Sequence, residues 1–308
     1  MHPRDWIEVR PQGVYCKAGD FYIDPMQPVN HAVVTHGHAD HARAGHGHVW
    51  ATEATLAIMR ARYGETHYLM TENLLVYGET VEIGGVKVSL HPAGHILGSA
   101  QARLEHAGAS IVFSGDYKRR PDPTCTPFEP VPCDVFVTEA TFALPVFRHP
   151  PLEDEIARLL VSLAQFPERC HLIGVYALGK CQRMICALRA AGYGETIHLH
   201  GAMQKLCELY ESFGIALGPL ELVAPENAKT LAGKIVLCPA LGLAGSLVAQ
   251  AARRADRRGI GLDAYSRPRQ TEGCRAAAGG FRSCRLGRTD PDAYRCRRAG
   301  GLGDARPR

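Results

Sequence analysis

The segment that most limits what this chain can fold into is HGHADH, residues 36–41, which follows the apolar run AVV at 32–34. Neutral imidazole nitrogen and carboxylate oxygen are zinc donors, at about 2.0–2.2 Å. His36 and His38 alternate and can converge on one ion, while Asp40 and His41 point to a second position. Gly37 and Ala39 are small and let the loop turn back on itself. Two later segments also end in a ligand-type residue after a β-type run: HPAGHILGSA supplies His95 and SIVFSGD supplies Asp116. Ligands at strand ends lie on one rim of a sheet, which gives a rigid site. His46 and His48 extend the histidine run and read as bystanders. His2, His31, His67, His91, His106, His149 and His171 read as surface or core histidines.

Short β-type runs and turns surround these residues. HAVVTH (31–36) reads as a short buried strand entering the histidine loop, and FYID (21–24) ends at Asp24-Pro25. TEATLAIMRARYG (52–64) predicts a helix, with Thr52 as N-cap and Gly64 near its end. Residues 81–95 predict a hairpin about Gly84-Gly85, and residues 102–116 a second one turning at 107–109. DVFVTEATF (134–142) reads as a further buried strand. From about 150 the pattern becomes α/β alternation. Helices are expected at 151–166 and 180–194 and strands at 171–179, 196–202 and 233–240, with a parallel sheet as the consequence.

Charge divides the chain unevenly. Residues 1–240 hold 20 Lys+Arg against 25 Asp+Glu, whereas residues 241–308 hold 15 Arg, no Lys and 6 acids. All fifteen histidines lie at or before His200. The eleven cysteines are scattered, form no CxxC and read as free thiols, mostly small core residues. No apolar run approaches the ~18–20 residues of a membrane helix, and MHPRDWIEVR lacks the apolar core of a secretory signal. The expected compartment is the cytoplasm, with no membrane partner.

THGHADH, AGHILGSA, SGDYK and the early FYIDP resemble the metal motifs of the metallo-β-lactamase superfamily. TEATF (138–142) and YALGKCQR (176–183) resemble its nucleic-acid-processing β-CASP branch. GVYCKAGDFYIDP and SGDYKRRPDPTCTPFEPVPCDVFVTEATFALPVFRHP are similar to the bacterial DNA-ligase-associated exonucleases. The likeness runs over residues 1 to about 240. It implies an α/β fold, an αββα metallo-β-lactamase sandwich over 1–150 with an inserted, truncated β-CASP α/β domain over 151–240. It further implies that His36, His38 and His95 hold one zinc, that Asp40 and His41 hold a second, and that Asp116 bridges them. Asp24 would orient a ligand histidine, and Glu139 would support the site. Asp40, Asp116 and Glu139 are the implied catalytic acids. Manganese can replace zinc at the oxygen-rich second position. Lys118, Arg119, Arg120, Arg148, Lys180 and Arg183 are candidates for backbone phosphates, and Tyr176 for base stacking.

The resemblance also implies two further histidines beyond IVLCP, one of them the last ligand of the second zinc. Residues 241–308 contain no histidine. Their Arg/Gly/Ala richness and lack of periodicity read as an irregular, frameshifted tail; the competing reading is a basic nucleic-acid-binding arm. On the first reading the second site is weak and hydrolysis impaired. The function implied is a zinc-dependent DNA exonuclease of DNA repair, acting beside an ATP-dependent DNA ligase and a helicase. The alternatives are an RNA-processing ribonuclease and a non-catalytic metal- and nucleic-acid-binding remnant. A small-molecule hydrolase fits less well, because it has no use for the α/β segment after 150.

Overall fold

The structure, a computed structural model, describes residues 2–64, 71–141, 150–224 and 231–239. Arg148, His67, His149 and the segment 241–308 lie outside them. The described residues fall into two compact units: 2–121 with 126–139, and 122–125 with 140–141, 150–224 and 231–239.

The first unit contains two sheets. One runs in chain order: β1 (Ile7–Arg10), β2 (Gly13–Cys16), β3 (Phe21–Ile23), β4 (His31–Val33), β5 (His48–Ala51) and β6 (Thr71–Leu74). Its first two pairings are antiparallel and the rest parallel. The other has the order β11-β10-β9-β8-β7. It is built from the hairpin β7 (Thr80–Ile83)/β8 (Val86–Pro92), the hairpin β9 (Ala100–His106)/β10 (Ala109–Phe113), and the parallel edge strand β11 (Val135–Val137). Both hairpin turns fall where the sequence places them. Phe21, Ile23 and Val33 from the first sheet share one buried cluster with Val88, Leu90, Leu104 and Ile111 from the second. Full burial of one such side chain contributes about 1.5–3 kcal/mol, and a one-residue slip would turn a whole strand's set outward. Register is thereby fixed, and with it the strand ends.

Helix α1 (Glu53–Tyr63) covers the opposite face of the first sheet, burying Leu56 and Met59 against Ala32, Val34, Val49 and Ala51. Thr52 caps it by accepting the Thr55 N–H, and Gly64 closes it. Among the described residues α1 is the only α-helix of this unit, so the layering seen is helix, sheet, sheet. The strand expected over 134–142 is shorter and less buried than predicted. It ends at Val137, and Phe136 is exposed because β11 lies at a sheet edge.

The second unit is a four-stranded parallel sheet of order β12-β15-β13-β14: β12 (His171–Val175), β15 (Ile235–Pro239), β13 (Ile197–Leu199) and β14 (Leu220–Leu222). Helices α2 (Leu152–Gln165), α3 (Lys180–Ala190) and α4 (Gln204–Ser212) alternate with the strands. The last strand among the described residues is thus central in the sheet, and its first four residues are fully buried. The eight described cysteines are free thiols and six are buried. Among the described residues no helix is long and apolar enough to cross a membrane.

Candidate metal centre

Three loops at strand ends converge. The loop after β4 carries His36, His38, Asp40 and His41; the loop between β8 and β9 carries His95; the loop after β10 carries Asp116. One ligand atom from each of His36, His38, His95 and Asp116 lies within 4.8 Å of all the others. His38 Nδ1 stands 3.0 Å from His36 Nε2 and 3.1 Å from His95 Nε2. Two nitrogens on a tetrahedral zinc with bonds of about 2.0–2.1 Å lie about 3.3 Å apart. A shift of a few tenths of an ångström brings the three nitrogens onto one ion, so the donor set fits a metal.

Asp116 faces two ways. Its Oδ2 is 3.5 Å from His95 Nε2 and 3.9 Å from His36 Nε2, while its Oδ1 is 3.5 Å from His41 Nε2. His41 Nε2 is also 3.8 Å from Asp40 Oδ2. One carboxylate therefore faces His36 and His95 with one oxygen and His41 with the other. Asp24, His36 and His41 also lie within 4.8 Å of one another, whereas Asp40 is exposed and belongs to neither cluster.

The rings are held by their other nitrogens. Asp24 accepts the Thr35 N–H at 2.7 Å and the Thr35 hydroxyl at 2.6 Å, and its Oδ2 lies 2.8 Å from His41 Nδ1. The Thr35 hydroxyl proton is committed to Asp24, so Thr35 Oγ1 accepts from His36 Nδ1 at 3.1 Å. Both rings then carry Nδ1–H; His36 turns its Nε2 lone pair inward, and His41 does so once its Nε2 proton is released, as ligand histidines require. Asp24 achieves this with a left-handed backbone, φ 44°. Such a conformation costs on the order of 1 kcal/mol and is offset by three hydrogen bonds to one carboxylate. Replacing Asp24 with alanine should lower metal affinity at the His41 position by about 10–100-fold, measured by competition with a chelator.

Glu139 bonds residues on either side of Asp116, and its charge adds to the burial that raises Asp116. Its carboxylate accepts the Tyr117 N–H at 3.1 Å and its own N–H donates to Ser114 Oγ at 3.2 Å, so it clamps the turn that presents Asp116. Gly115, at φ 53°, lies in that turn, and an added Cβ would sit 2.7 Å from Thr35 Oγ1. The Asp116 loop and the Asp24–Thr35 relay are therefore packed directly together.

Burial, and then His41, His38, His95 and Arg62, push His36 well below the ordinary imidazole value, leaving it neutral. Burial also pulls His41 down, but Asp24, followed by Asp116 and Asp40, outweighs it and raises the ring to about 9. Burial raises Asp116 to about 6, against the pull of His41. At pH 7 metal-free His41 is thus protonated while Asp116 is ionised. Metal uptake at pH 7 should release about one proton from His41, and affinity should climb as pH rises towards 9; the buffer dependence of the binding heat reads this directly.

The predicted phosphate contacts divide between the units. Lys118, Arg119 and Arg120 follow Asp116, the two arginines exposed, and Lys118 N–H bonds Ala93 O at 3.0 Å. In the second unit Lys180 opens α3, with its Nζ 4.8 Å from the Tyr176 ring, and Tyr176 is 66% exposed. Arg183 is paired with Asp122 at 3.6 Å. His46 accepts from Val29 N–H, and His48 stacks on Trp50, each engaged in its own local packing. Thr35, which sequence reasoning passed over, is the hub of the relay; its position directly before His36 was the available signal.

No family model matches the chain. It is 33% identical over 246 residues to "Probable DNA ligase" of Opitutus terrae, covering 76% of this chain and 22% of that protein. It is 29% identical over 219 residues to "Endoribonuclease ysh1" of Emericella nidulans, covering 59% of this chain and 24% of the relative. It is 38% identical over 117 residues to "Cleavage and polyadenylation specificity factor subunit 3" of Dictyostelium discoideum, covering 36% and 15%. The chain therefore spans about a fifth of the length of the first relative and a quarter or less of the others. These relatives fit the β-CASP nuclease branch of the metallo-β-lactamase superfamily. A solved protein of unknown function from Enterococcus faecalis reaches a TM-score of 0.45 at 14% identity, over 68% of this chain and 57% of that one, too low to bear on fold or function.

Proposed function

We propose that the chain is a metal-dependent nuclease that hydrolyses phosphodiesters, with DNA as its substrate and zinc as its metal. The observation behind this reading is Asp116, whose two oxygens face His36/His95 on one side and His41 on the other. His36, His38 and His95 would hold one ion, Asp40 and His41 a second, and Asp116 both. When bound, such a pair lowers the pKa of an attacking water towards neutrality and neutralises charge at a phosphodiester. The protein's own part is orientation. Asp24 and Thr35 fix two imidazole tautomers, Glu139 clamps the Asp116 turn, and Lys118 and Arg119 offer cationic contacts to backbone phosphates. Lys180 and Tyr176 offer a cation and an exposed ring, a pairing suited to single-stranded nucleic acid.

Exonucleolytic repair of DNA beside a ligase and a helicase, in the cytoplasm, is the reading favoured by the sequence phrases quoted above and by the relative named as a DNA ligase. The relatives named as endoribonucleases favour a second reading, cleavage of RNA. Matched single-stranded DNA and RNA, end-labelled, with and without chelator, test both. Chelator-sensitive shortening of DNA from one end is the expected result. Preferred internal cleavage of RNA would establish the second reading, and chelator-insensitive or absent cleavage of both would defeat the nuclease assignment.

A further inference from the structure

The second unit contains a sulfur cluster unconnected to the histidine loop. Cys181, in the first turn of α3, places its Sγ 4.0 Å from Cys207 Sγ on α4 and 3.6 Å from Met203 Sδ. None of the three side chains is more than 1% exposed. Gln182 aims its amide Nε2 at Cys207 Sγ, 3.5 Å away. That amide is itself fixed, donating to Ala177 O at 3.0 Å and accepting the Gly179 N–H at 2.8 Å. Apolar packing does not call for an oriented amide donor at a sulfur, whereas a thiolate is stabilised by one.

We propose that Cys181, Met203 and Cys207 form a buried three-sulfur site for a soft monovalent cation of the Cu(I) class. Thiolate and thioether donors together select Cu(I). Zinc is disfavoured, because it takes four ligands from thiolate, imidazole and carboxylate, and thioether is not among them. With metal–sulfur bonds of about 2.3 Å, as for thiolate on zinc, three sulfurs around a trigonal ion lie about 4.0 Å apart. The two separations from Cys181, 3.6 Å to Met203 Sδ and 4.0 Å to Cys207 Sγ, lie within a few tenths of an ångström of this value. The contact with Cys181 and the hydrogen bond from Gln182 lower the Cys207 thiol, while the same contact and burial raise Cys181. Each cysteine gives up its thiol proton to solvent as its copper–sulfur bond forms. The ion enters and leaves as Cu(I), so no electron is transferred.

The test uses the full chain, stripped of metal, reloaded with zinc to fill the imidazole centre, and titrated anaerobically with Cu(I) held by a competing chelator. Wild type should withhold one more Cu(I) per chain than Cys181→Ala or Cys207→Ala. Met203→Leu should bind at least about tenfold more weakly, the least that losing even a supporting hydrogen bond costs. Equal retention by wild type and all three variants would overturn the proposal, as would a native Cys181–Cys207 disulfide, seen as a mass lower by two hydrogens. If the alanine variants do not fold by circular dichroism, the volume-conserving Met203→Leu decides alone, and unchanged Cu(I) affinity then refutes the site.

Discussion

Asp116→Ala is expected to lower kcat/KM for phosphodiester cleavage by at least about 10³-fold, equivalent to about 4 kcal/mol of transition-state stabilisation. The reason is geometric. Asp116 Oδ2 faces the three-histidine position and Oδ1 faces His41, so one truncation removes a donor from both. It also leaves His41 without one of the carboxylates that hold it charged in the metal-free state. Metal content should fall with activity, and the fold should survive, because Asp116 is only half-buried and sits in a loop. Circular dichroism and steady-state kinetics on the same preparation check this. Activity within tenfold of wild type would show that the two groups of donors do not act through Asp116.

The second large effect is structural. Gly94→Ala is expected to destabilise the first unit by about 2–5 kcal/mol, combining about 1–2 kcal/mol for a left-handed non-glycine residue with about 1–3 kcal/mol of overpacking. Gly94 has φ 69°, and an added Cβ would overlap Lys118 O and stand 2.8 Å from Phe128 N. Both atoms belong to backbone, and the Lys118 N–H is bonded to Ala93 O beside them. No side chain can rotate out of the way. Gly94 precedes His95, and Lys118 follows Asp116 by two residues, so the clash pushes two ligand loops apart. Urea unfolding of the metal-free chain measures the loss as a fall in midpoint. A change below about 1 kcal/mol would mean that these loops are less tightly joined than the structure shows.

How much of this was legible in the sequence varies by element. Helix α1 and the two hairpins were legible, because Thr52, Gly64, Gly84-Gly85 and Ala107-Gly108 state their turns and caps locally. Strands β1, β2, β5, β6 and β14 were not read individually; each is only three or four residues long, too short for alternation to register. Helix α4 was missed as well. The central place of β15 depends on pairing order, which no local pattern carries. The candidate ligands were legible because their residue types are rare together and their loops follow recognisable strands. The relay through Thr35 was not, since it depends on the left-handed turn at Asp24, eleven residues away. The sulfur cluster was hidden because Met203 and Cys207 lie one turn apart at the start of α4 while Cys181 comes from α3, more than twenty residues earlier.

The donor sets also predict unequal metal sites. On the proposed assignment three imidazoles and Asp116 would hold one ion, and His41 with Asp40 and Asp116 the other; only the first of these donor sets lies together within 4.8 Å. Stepwise zinc titration of the chelator-stripped chain, with cleavage of single-stranded DNA followed at each step, tests the central claim most directly. One tight equivalent, then a weaker second whose binding brings on cleavage, is the predicted result. No zinc retained, or cleavage independent of added zinc, would contradict the account.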